Sequence, residues 1–237
     1  MSEPASDRPR RVLYGRRLGP RLKPNRRRLL DELLPAVRLD LPPPGTVLEP
    51  AHLLAPGTER LWLEIGFGGG EHLAWQAARH RRVTHLGVEP YLNGVASLLD
   101  AVETQGLGNV RVVVDDARLL LAALPDRCLE RIAVLFPDPW PKLRHHKRRI
   151  VNAASVAAFA RLLQAGGELR LASDDSGYVA WMLEAARTEP RLEWLAGRAG
   201  DWRERPADWP ETRYEAKARA AGRASTFLRF RRTGAGD

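Results

Sequence analysis

Residues 63–70 read LEIGFGGG, and this stretch decides the fold. The apolar residues 61–65 predict a buried strand, and the glycines after them predict a tight loop before a helix that runs to about residue 79. Glycines at such a place let the backbone turn sharply and come close to a ligand. The stretch therefore predicts the first strand–loop–helix unit of an α/β protein, with a ligand at the loop.

Strands and helices alternate after this unit. Further strands are predicted at residues 83–88, 110–114, 131–136, 168–172, 191–195 and 226–231. Helices are predicted near residues 94–104, 149–164 and 178–187. Apolar strands that alternate with helices of this length form mostly parallel sheets with helices on both faces. The prediction is an α/β fold with a doubly wound, mostly parallel, seven-stranded sheet.

The chain has 237 residues, enough for one large domain, and a single cysteine, Cys128. One cysteine excludes an intrachain disulfide framework and a cysteine-rich zinc site, and the six histidines show no metal-ligand spacing. No apolar run reaches the roughly 20 residues that span a bilayer, and residues 1–12 lack the apolar segment of a signal peptide. We expect a cytoplasmic protein with no metal ion and no membrane partner.

Basic charge is concentrated in two segments. Residues 1–28 contain ten Lys or Arg residues against two acids, so they carry +8 of the net charge of +9. Residues 142–149 hold five more Lys or Arg residues and two histidines. Such segments favour a polyanionic partner, although an arm of this composition can also be a solvated tail.

These features predict three parts along the chain. Residues 1–24 form a basic N-terminal arm with little periodicity. Residues 25–58 contain a helix capped by Asn25 and a proline-rich linker, and residues 59–237 form the domain built on the sheet.

The residues around the glycine loop (residues 66–70) restrict its ligand. A dinucleotide fingerprint needs glycine at position 71, and a P-loop needs glycine and lysine at positions 71 and 72, whereas the chain has Glu71 and His72. Acidic residues precede the loop or end the next two strands: Glu64, Glu89, Asp115 and Asp116. A cationic, ribose-bearing ligand such as S-adenosylmethionine suits this pocket better than an anionic dinucleotide. The alternative is that the glycines only make a turn and the acids cap helices.

Residues 136–141 read FPDPWP and form the proline-rich loop after the fourth strand. The prolines fix φ and bias Phe136, Asp138 and Trp140 toward extended backbone. We expect a stiff loop at the carboxyl edge of the sheet that presents one carboxylate and one indole. A rigid turn with Trp140 in the core is the alternative. The basic turn, residues 142–149, follows at once and indicates a nucleic-acid substrate.

Six motifs give the chain a resemblance to a known family. They are LEIGFGGG (63–70), GVEP (87–90), DDA (115–117), FPDPWPKLRHHKRR (136–149), ASD (172–174) and TRYE (212–215). Over nearly its whole length the chain resembles the bacterial tRNA (guanine-N7)-methyltransferases, of the class I S-adenosylmethionine-dependent methyltransferases. The resemblance implies methyl transfer to a variable-loop guanosine of tRNA, conventionally position 46. The sequence leaves open whether the enzyme is a monomer or a homodimer.

The resemblance also implies roles for individual residues. Cofactor contacts fall on Glu64, Gly66, Gly68, Gly70, Glu89, Asp116 and Asp138. Substrate contacts fall on Lys142, Asp174, Thr212, Arg213, Tyr214 and Glu215. RNA contacts fall on Arg144, His145, His146, Lys147, Arg148 and Arg149. Asp138 is in addition the implied catalytic residue.

Guanine chemistry explains why a carboxylate is useful. N7 of neutral guanine has a free lone pair on the major-groove edge, so no proton has to leave before methylation, and alignment matters more than a general base. Because methylation leaves a positive charge on the purine, we expect Asp138 to stabilise that charge. Lys142 is expected to bind phosphate or O6, and Asp174 to accept from the guanine amino and imino groups.

Several alternatives stay open. The TRYE motif matches a capping box, so Thr212 can start a helix over residues 213–220, with or without a substrate role. The DPWP sequence at 138–141 is similar to the acidic-proline-aromatic motif of adenine enzymes, which methylate an exocyclic amine. A non-catalytic RNA-binding protein on a methyltransferase fold is a further alternative. Glu71 disfavours a dehydrogenase.

Overall fold

One sheet of seven strands forms the centre of this computed structural model, which describes Tyr14 and residues 17–234. The strands are β1 (Arg60–Ile65), β2 (Val83–Val88), β3 (Val110–Val113), β4 (Leu129–Leu135), β5 (Leu163–Ser173), β6 (Leu192–Trp194) and β7 (Thr226–Arg232). Their order is β3-β2-β1-β4-β5-β7-β6; β7 is antiparallel to both neighbours, and the other pairs are parallel. The predicted α/β fold class is confirmed.

Helices pack against both faces of the sheet. Those in the described residues are α1 (Pro24–Glu32), α2 (Leu34–Val37), α3 (Pro50–Leu53), α4 (Glu71–Arg79), α5 (Leu92–Gln105), α6 (Ala117–Ala123), α7 (Ala153–Leu162), α8 (Ser176–Arg187), α9 (Gly200–Arg203) and α10 (Arg213–Ala220). One apolar cluster includes α4 and α5, and another includes α6, α7 and α8. Val112 and Val113 of β3 belong to different clusters, because successive side chains of a strand point to opposite faces.

The N-terminal helix differs from its prediction. It begins at Pro24, and Lys23 rather than Asn25 stands at the N-cap, without a side-chain capping bond. Proline suits the first turn of a helix because its missing N–H would have no partner there and its φ is already helical. Leu29 is buried in the cluster that includes α5. The division of the chain into three parts stays a prediction, and most of the predicted arm lies outside the described residues.

The helix predicted at residues 149–164 is shorter in the structure. Leu143–Arg148 forms a 3-10 turn, and α7 begins only after Asn152. The Asn152 side chain accepts from the Ser155 N–H, and the Ser155 hydroxyl accepts from the Asn152 N–H. This reciprocal capping box sets the start of α7. Most of the basic turn therefore lies in a connection at the carboxyl edge of the sheet.

Candidate active site

A cavity of about 370 Å³ opens at the carboxyl edge of the sheet, where β1, β2 and β4 end. Ligands of open α/β sheets bind in this crevice because the loops diverge there. Its wall contains five residues predicted for the cofactor and one predicted for the substrate: Gly66, Gly68, Glu89, Asp116, Asp138 and Tyr214. The wall also contains apolar side chains, among them Ile65, Val88, Leu135 and Ile150. This cavity is the candidate active site.

The glycine loop has a backbone that favours glycine. Gly66, Gly68 and Gly70 have φ values of 69°, 55° and 80°, in the left-handed region. At Gly70, the N-cap of α4, a Cβ atom would also lie only 2.7 Å from the Cβ of Leu98. At Gly66 a Cβ atom would meet no described heavy atom within 4 Å. The loop is thus closely packed at its helix end and open at its strand end, beside the cavity.

Glu89 is held at the end of β2 by backbone donors. Its Oε2 accepts from the N–H of Gly68 at 2.9 Å, and its Oε1 accepts from the N–H of Tyr91 at 3.0 Å. Burial raises the pKa of the Glu89 carboxyl; the two N–H donors oppose this rise, and the negative charge of Asp138 adds to it. Each carboxylate oxygen keeps a second lone pair for a donor in the cavity.

Asp116 combines a capping role with a place in the cavity wall. Its Oδ1 accepts from the N–H of Arg118 at 2.9 Å, and this carboxylate oxygen lies 3.3 Å from Arg118 Nη1. The interpretation of the strand-end acids as helix caps thus holds for Asp116, the N-cap of α6. Asp115 instead accepts from the backbone N–H of Asp116 at 2.7 Å. Of these two acids, Asp116 is the one that borders the cavity.

The Glu64 side chain faces α4 rather than the cavity. Its Oε2 lies 2.7 Å from Nδ1 of His72, and both side chains are buried. The Nε2 atom of His72 lies 3.2 Å from Nε2 of Gln76. Glu64 therefore ties β1 to α4, the two elements that flank the glycine loop. A direct cofactor contact by Glu64 or Gly70 stays a prediction.

The backbone of the proline-rich loop corrects an expectation. Phe136 and Trp140 are not extended, since their φ values are +50° and +45°. Left-handed backbone costs such residues roughly 1–3 kcal/mol each and persists only where the surroundings hold it. Here the Phe136 N–H donates to the Ala172 carbonyl at 2.8 Å, and Arg149 Nε donates to the Pro139 carbonyl at 2.9 Å. Contacts from two sides thus hold the loop in its strained form.

Asp138 lies between these two strained residues. It is exposed to solvent and borders the cavity. It makes no hydrogen bond or ion pair with any residue that the structure describes. Trp140 is only partly buried, so the loop is not a rigid turn with this side chain in the core. A carboxylate in this setting is available to accept from a ligand or to face a positive charge.

The basic turn presents cations next to the cavity. Three of its cationic side chains are exposed: Lys142, Arg144 and Lys147. The ring of His145 packs against Trp140 at 5.9 Å between centres, and the ring of His146 packs against Trp181 at 5.4 Å. The two histidines therefore anchor the turn to neighbouring aromatic side chains, while the exposed lysine and arginine side chains extend into solvent.

The last two arginines of the basic turn point back toward the protein. The guanidinium of Arg148 lies 4.8 Å from the centre of the Trp140 ring and 5.2 Å from that of Tyr14, a cation–π geometry. Arg149 is 4% exposed, because its guanidinium donates to the Pro139 carbonyl and lies against aromatic rings. This burial argues against the predicted RNA contact of Arg149. The residue supports the proline-rich loop instead.

The segment that carries TRYE forms the start of α10. Thr212 caps this helix as its spacing predicts, with Oγ1 accepting from the N–H of Glu215 at 3.3 Å. The Glu215 carboxylate lies 3.3 Å from Arg205. Asp174, at the end of β5, forms an ion pair with Arg223 at 2.8 Å and stands apart from the cavity wall. The substrate roles of these residues stay predictions.

Sequence reasoning missed two tyrosines of the cavity wall, Tyr14 and Tyr91. Tyr14 belongs to the predicted arm, and its ring centre lies 6.3 Å from that of Trp140. Arg17 of the same predicted arm is held nearby, because the N–H of Leu92 donates to its carbonyl at 3.0 Å. No spacing pattern connects residue 14 with the cavity. Tyr91 follows the end of β2 closely, and its place after a strand was a usable signal.

In the part of the chain that the structure describes, two kinds of feature are absent: a group of side chains that could hold a metal ion and a helix that could span a membrane. No three of its His, Cys, Asp or Glu side chains are grouped to hold a metal ion. Each of its helices is too short or too polar to cross a bilayer.

Burial raises the pKa of the Cys128 thiol to about 12, so this thiol is not a thiolate nucleophile at neutral pH.

The sheet order and the glycine loop between β1 and α4 define a class I methyltransferase fold. In fold the chain is similar to the aminoglycoside resistance methyltransferase NpmB1, with a TM-score of 0.51 and 17% identity over 75% of this chain and 89% of that one. A family profile described as "Putative methyltransferase" matches residues 58–228.

Two relatives carry the same name, tRNA (guanine-N(7)-)-methyltransferase. The one from Rhodospirillum rubrum is 52% identical over 92% of this chain and 87% of its own length. The one from Paramagnetospirillum magneticum is 49% identical over 96% of this chain and 94% of its own length. The chain belongs to the tRNA (guanine-N(7)-)-methyltransferase family.

Proposed function

We propose that this protein transfers a methyl group from S-adenosylmethionine to N7 of a tRNA guanosine, at position 46 of the variable loop, in the cytoplasm. The proposal rests on the free carboxylate of Asp138 at an acid-lined cavity, a few residues before the exposed cations of the basic turn. The relatives named above are similar over nearly the whole chain, which supports the same substrate here.

The cavity fits S-adenosylmethionine in size and in chemistry. Its 370 Å³ lie in the usual range for small-molecule sites, and its wall combines apolar side chains and three carboxylates with two arginines, Arg118 and Arg148. In the proposed complex, Glu89 accepts from the ribose hydroxyls, and Asp116 accepts from the adenine amino group. The open space beside Gly66 leaves room for the ligand along the glycine loop. When bound, S-adenosylmethionine supplies an electrophilic methyl group on its sulfonium sulfur.

The residues of the chain have to align guanine rather than remove a proton, because N7 already has a free lone pair. Asp138 faces the positive charge that develops on the purine. Lys142 binds a phosphate or O6 of the guanine. Asp174 accepts from the guanine amino and imino groups through lone pairs that its ion pair with Arg223 leaves available. Residues 212–215 contact the substrate from the start of α10.

Neutralising the basic turn is expected to reduce the salt dependence of tRNA binding. A variant with alanine at Lys142, Arg144 and Lys147 loses up to three phosphate contacts. The slope of log K against log salt should therefore become shallower by roughly two to three. Fluorescence anisotropy over a salt series measures this slope. Arg187→Ala, at the far end of α8, serves as the control, and a slope equal to that of wild type in the triple variant would refute the RNA contact.

Lowering the pH is expected to weaken cofactor binding already at pH values at which an exposed glutamate is still ionised. Ionised Glu89 accepts hydrogen bonds, and its protonated form loses an acceptor. Because burial raises the pKa of Glu89 above the ordinary value of 4.5, the loss begins at a higher pH than for an exposed carboxyl. Calorimetry with S-adenosylhomocysteine, from neutral to mildly acidic pH, measures the effect. The Glu89→Gln variant should bind S-adenosylhomocysteine weakly, and its affinity should not change over this pH range. If its affinity falls with pH as much as that of wild type, Glu89 is not the cause of the pH dependence.

In the protein without cofactor, the raised pKa of Glu89 affects the free energy of unfolding, and this effect has the opposite dependence on pH. A carboxyl with a raised folded-state pKa contributes stability below its ordinary pKa, and this contribution is lost as the pH rises through the raised value. Cofactor binding and folding thus respond to Glu89 in opposite directions, which separates the two effects experimentally.

The identity of the product nucleoside tests the proposed function. Purified protein is incubated with unmodified tRNA and methyl-labelled S-adenosylmethionine, and the digested tRNA is separated by chromatography. We expect labelled 7-methylguanosine, and none from a tRNA with adenosine at position 46. Labelled 6-methyladenosine would instead identify an exocyclic-amine methyltransferase. A protein that binds tRNA but no cofactor in calorimetry would be a non-catalytic RNA-binding protein. Both of these results contradict the proposal.

A further inference from the structure

The start of α10 lies directly on the glycine loop. Arg213 Nε is 3.2 Å from Oε1 of Glu71, the first residue of α4. A Cβ atom on Gly69 would lie 2.5 Å from Arg213 Nη2 and 2.9 Å from Glu71 Oε1. A side chain at this position would therefore displace the flexible ends of the ion pair, which lie directly over the loop.

Tyr214 covers the next part of the loop. A Cβ atom on Gly68 would lie 3.0 Å from the Tyr214 hydroxyl, and the ring forms part of the cavity wall. The guanidinium of Arg213 lies 5.2 Å from the centre of this ring. Tyr214 is also 45% exposed, so the ring separates the cavity from solvent without being packed in the core. The contact with Arg213 links the ring to the ion pair on the glycine loop.

The charge of Arg213 also reaches the cofactor site. Burial raises the pKa of Glu89, and the positive charge of Arg213 opposes that rise. Glu71 has a second favourable contact, because a carboxylate in the first turn of a helix interacts well with the helix dipole. The ion pair thus joins the loop expected to bind the cofactor to the segment expected to bind the substrate.

We infer that Glu71 and Arg213 form a latch, an ion pair that positions Tyr214 over the glycine loop and slows release of the bound cofactor. The inference rests on the proposed function, since it takes the cavity as the S-adenosylmethionine site. In cofactor release both residues are positioning residues that act through Tyr214, apart from the substrate contact proposed for Arg213. The side chains of Glu71 and Arg213 are 40% and 52% exposed, so the latch is weak enough to open during each turnover.

Charge reversal tests the latch without measuring methyl transfer. The dissociation rate of S-adenosylhomocysteine is followed by stopped-flow displacement in wild type, Glu71→Arg, Arg213→Glu and the swapped double variant. Each single reversal should raise the rate constant by roughly two- to tenfold, because repulsion replaces a weak attraction. The swap should return it to within about twofold of wild type, since the pair is restored with opposite polarity. The control is the ion pair between Arg219 of α10 and Glu211, which precedes the helix; reversals of this pair should leave the rate unchanged.

A second variant separates the latch from a general effect of charge. Tyr214→Ala should release S-adenosylhomocysteine at least as fast as Glu71→Arg, and combining the two should add little, because the latch acts through the ring. Single reversals without effect, a swap that fails to restore the rate, or fully additive effects would overturn the inference. Thermal unfolding of each variant checks the fold. If wild type binds no S-adenosylhomocysteine, the proposed function fails as well, whereas a failed swap in a binding protein overturns only the latch.

Discussion

Asp138→Asn is expected to lower kcat by roughly ten- to a thousandfold while cofactor binding persists. Asparagine keeps the size of the side chain and one oxygen acceptor, but it loses the negative charge. Asp138 has no described partner that would take up this charge, so its full effect is available to the purine in the cavity. Because N7 methylation creates a cation and needs no base, the loss should fall on turnover rather than on either binding step.

Single-turnover kinetics and calorimetry together measure this prediction. Asp115→Asn is a matched control, because Asp115 is a carboxylate at the same edge of the sheet that does not border the cavity. Its kcat should stay close to that of wild type. If Asp138→Asn turns over as fast as wild type, the assignment of Asp138 is refuted. If it loses cofactor binding instead, Asp138 belongs to the cofactor site alone.

Arg170→Met is expected to lower the free energy of unfolding by about 2–4 kcal/mol. Arg170 is only 2% exposed, and its guanidinium lies 2.8 Å from Glu168 and 2.7 Å from Asp208. Without Arg170, less positive charge remains beside the carboxylates of Glu168 and Asp208. The effect falls below that of a fully buried pair because Arg229 still reaches Glu168 and because Asp208 is half exposed.

Urea unfolding measures the stability of Arg170→Met, and its pH dependence adds a second readout. Burial alone would raise the pKa of Glu168, but Arg170 and Arg229 hold it below its ordinary value of 4.5. Glu168 therefore contributes stability above that value and loses it as the pH falls through the lowered pKa. Without Arg170 this acid-induced loss should begin at a higher pH. Arg198→Met, which breaks an exposed pair with Asp201, is the control. Equal stability of the Arg170 and Arg198 variants would show that the buried network contributes little.

Local patterns in the sequence were sufficient for most of the fold. Residues 83–88 were predicted as a strand and are β2, in which all six residues are buried. Residues 213–220 were predicted from the cap at Thr212 and are α10. The cavity was also foreseeable in part: Glu89, Asp116 and Asp138 follow different parallel strands, whose carboxyl ends meet at one edge of the sheet. α6 was not predicted, although a doubly wound sheet calls for a helix there.

Contacts between distant parts of the chain were beyond the sequence. A run of charges does not show which side chain turns inward, so Arg149 was expected on the surface and is buried. Proline rules favour extended backbone before each proline, yet packing holds Phe136 and Trp140 at positive φ. Tyr14 borders the cavity next to Trp140, a residue that is distant from it in the sequence. Each of these features is decided by tertiary packing.

Replacing N7 of the target guanosine with carbon tests the proposed reaction most directly. A tRNA with 7-deazaguanosine at position 46 keeps the shape and the base-pairing edge of guanosine but has carbon in place of N7. Methyl transfer from labelled S-adenosylmethionine should be undetectable with this tRNA, while its binding in a competition assay stays close to that of unmodified tRNA. Transfer to the 7-deaza tRNA at the rate seen with guanosine would contradict the central claim that the cavity presents the methyl group to N7.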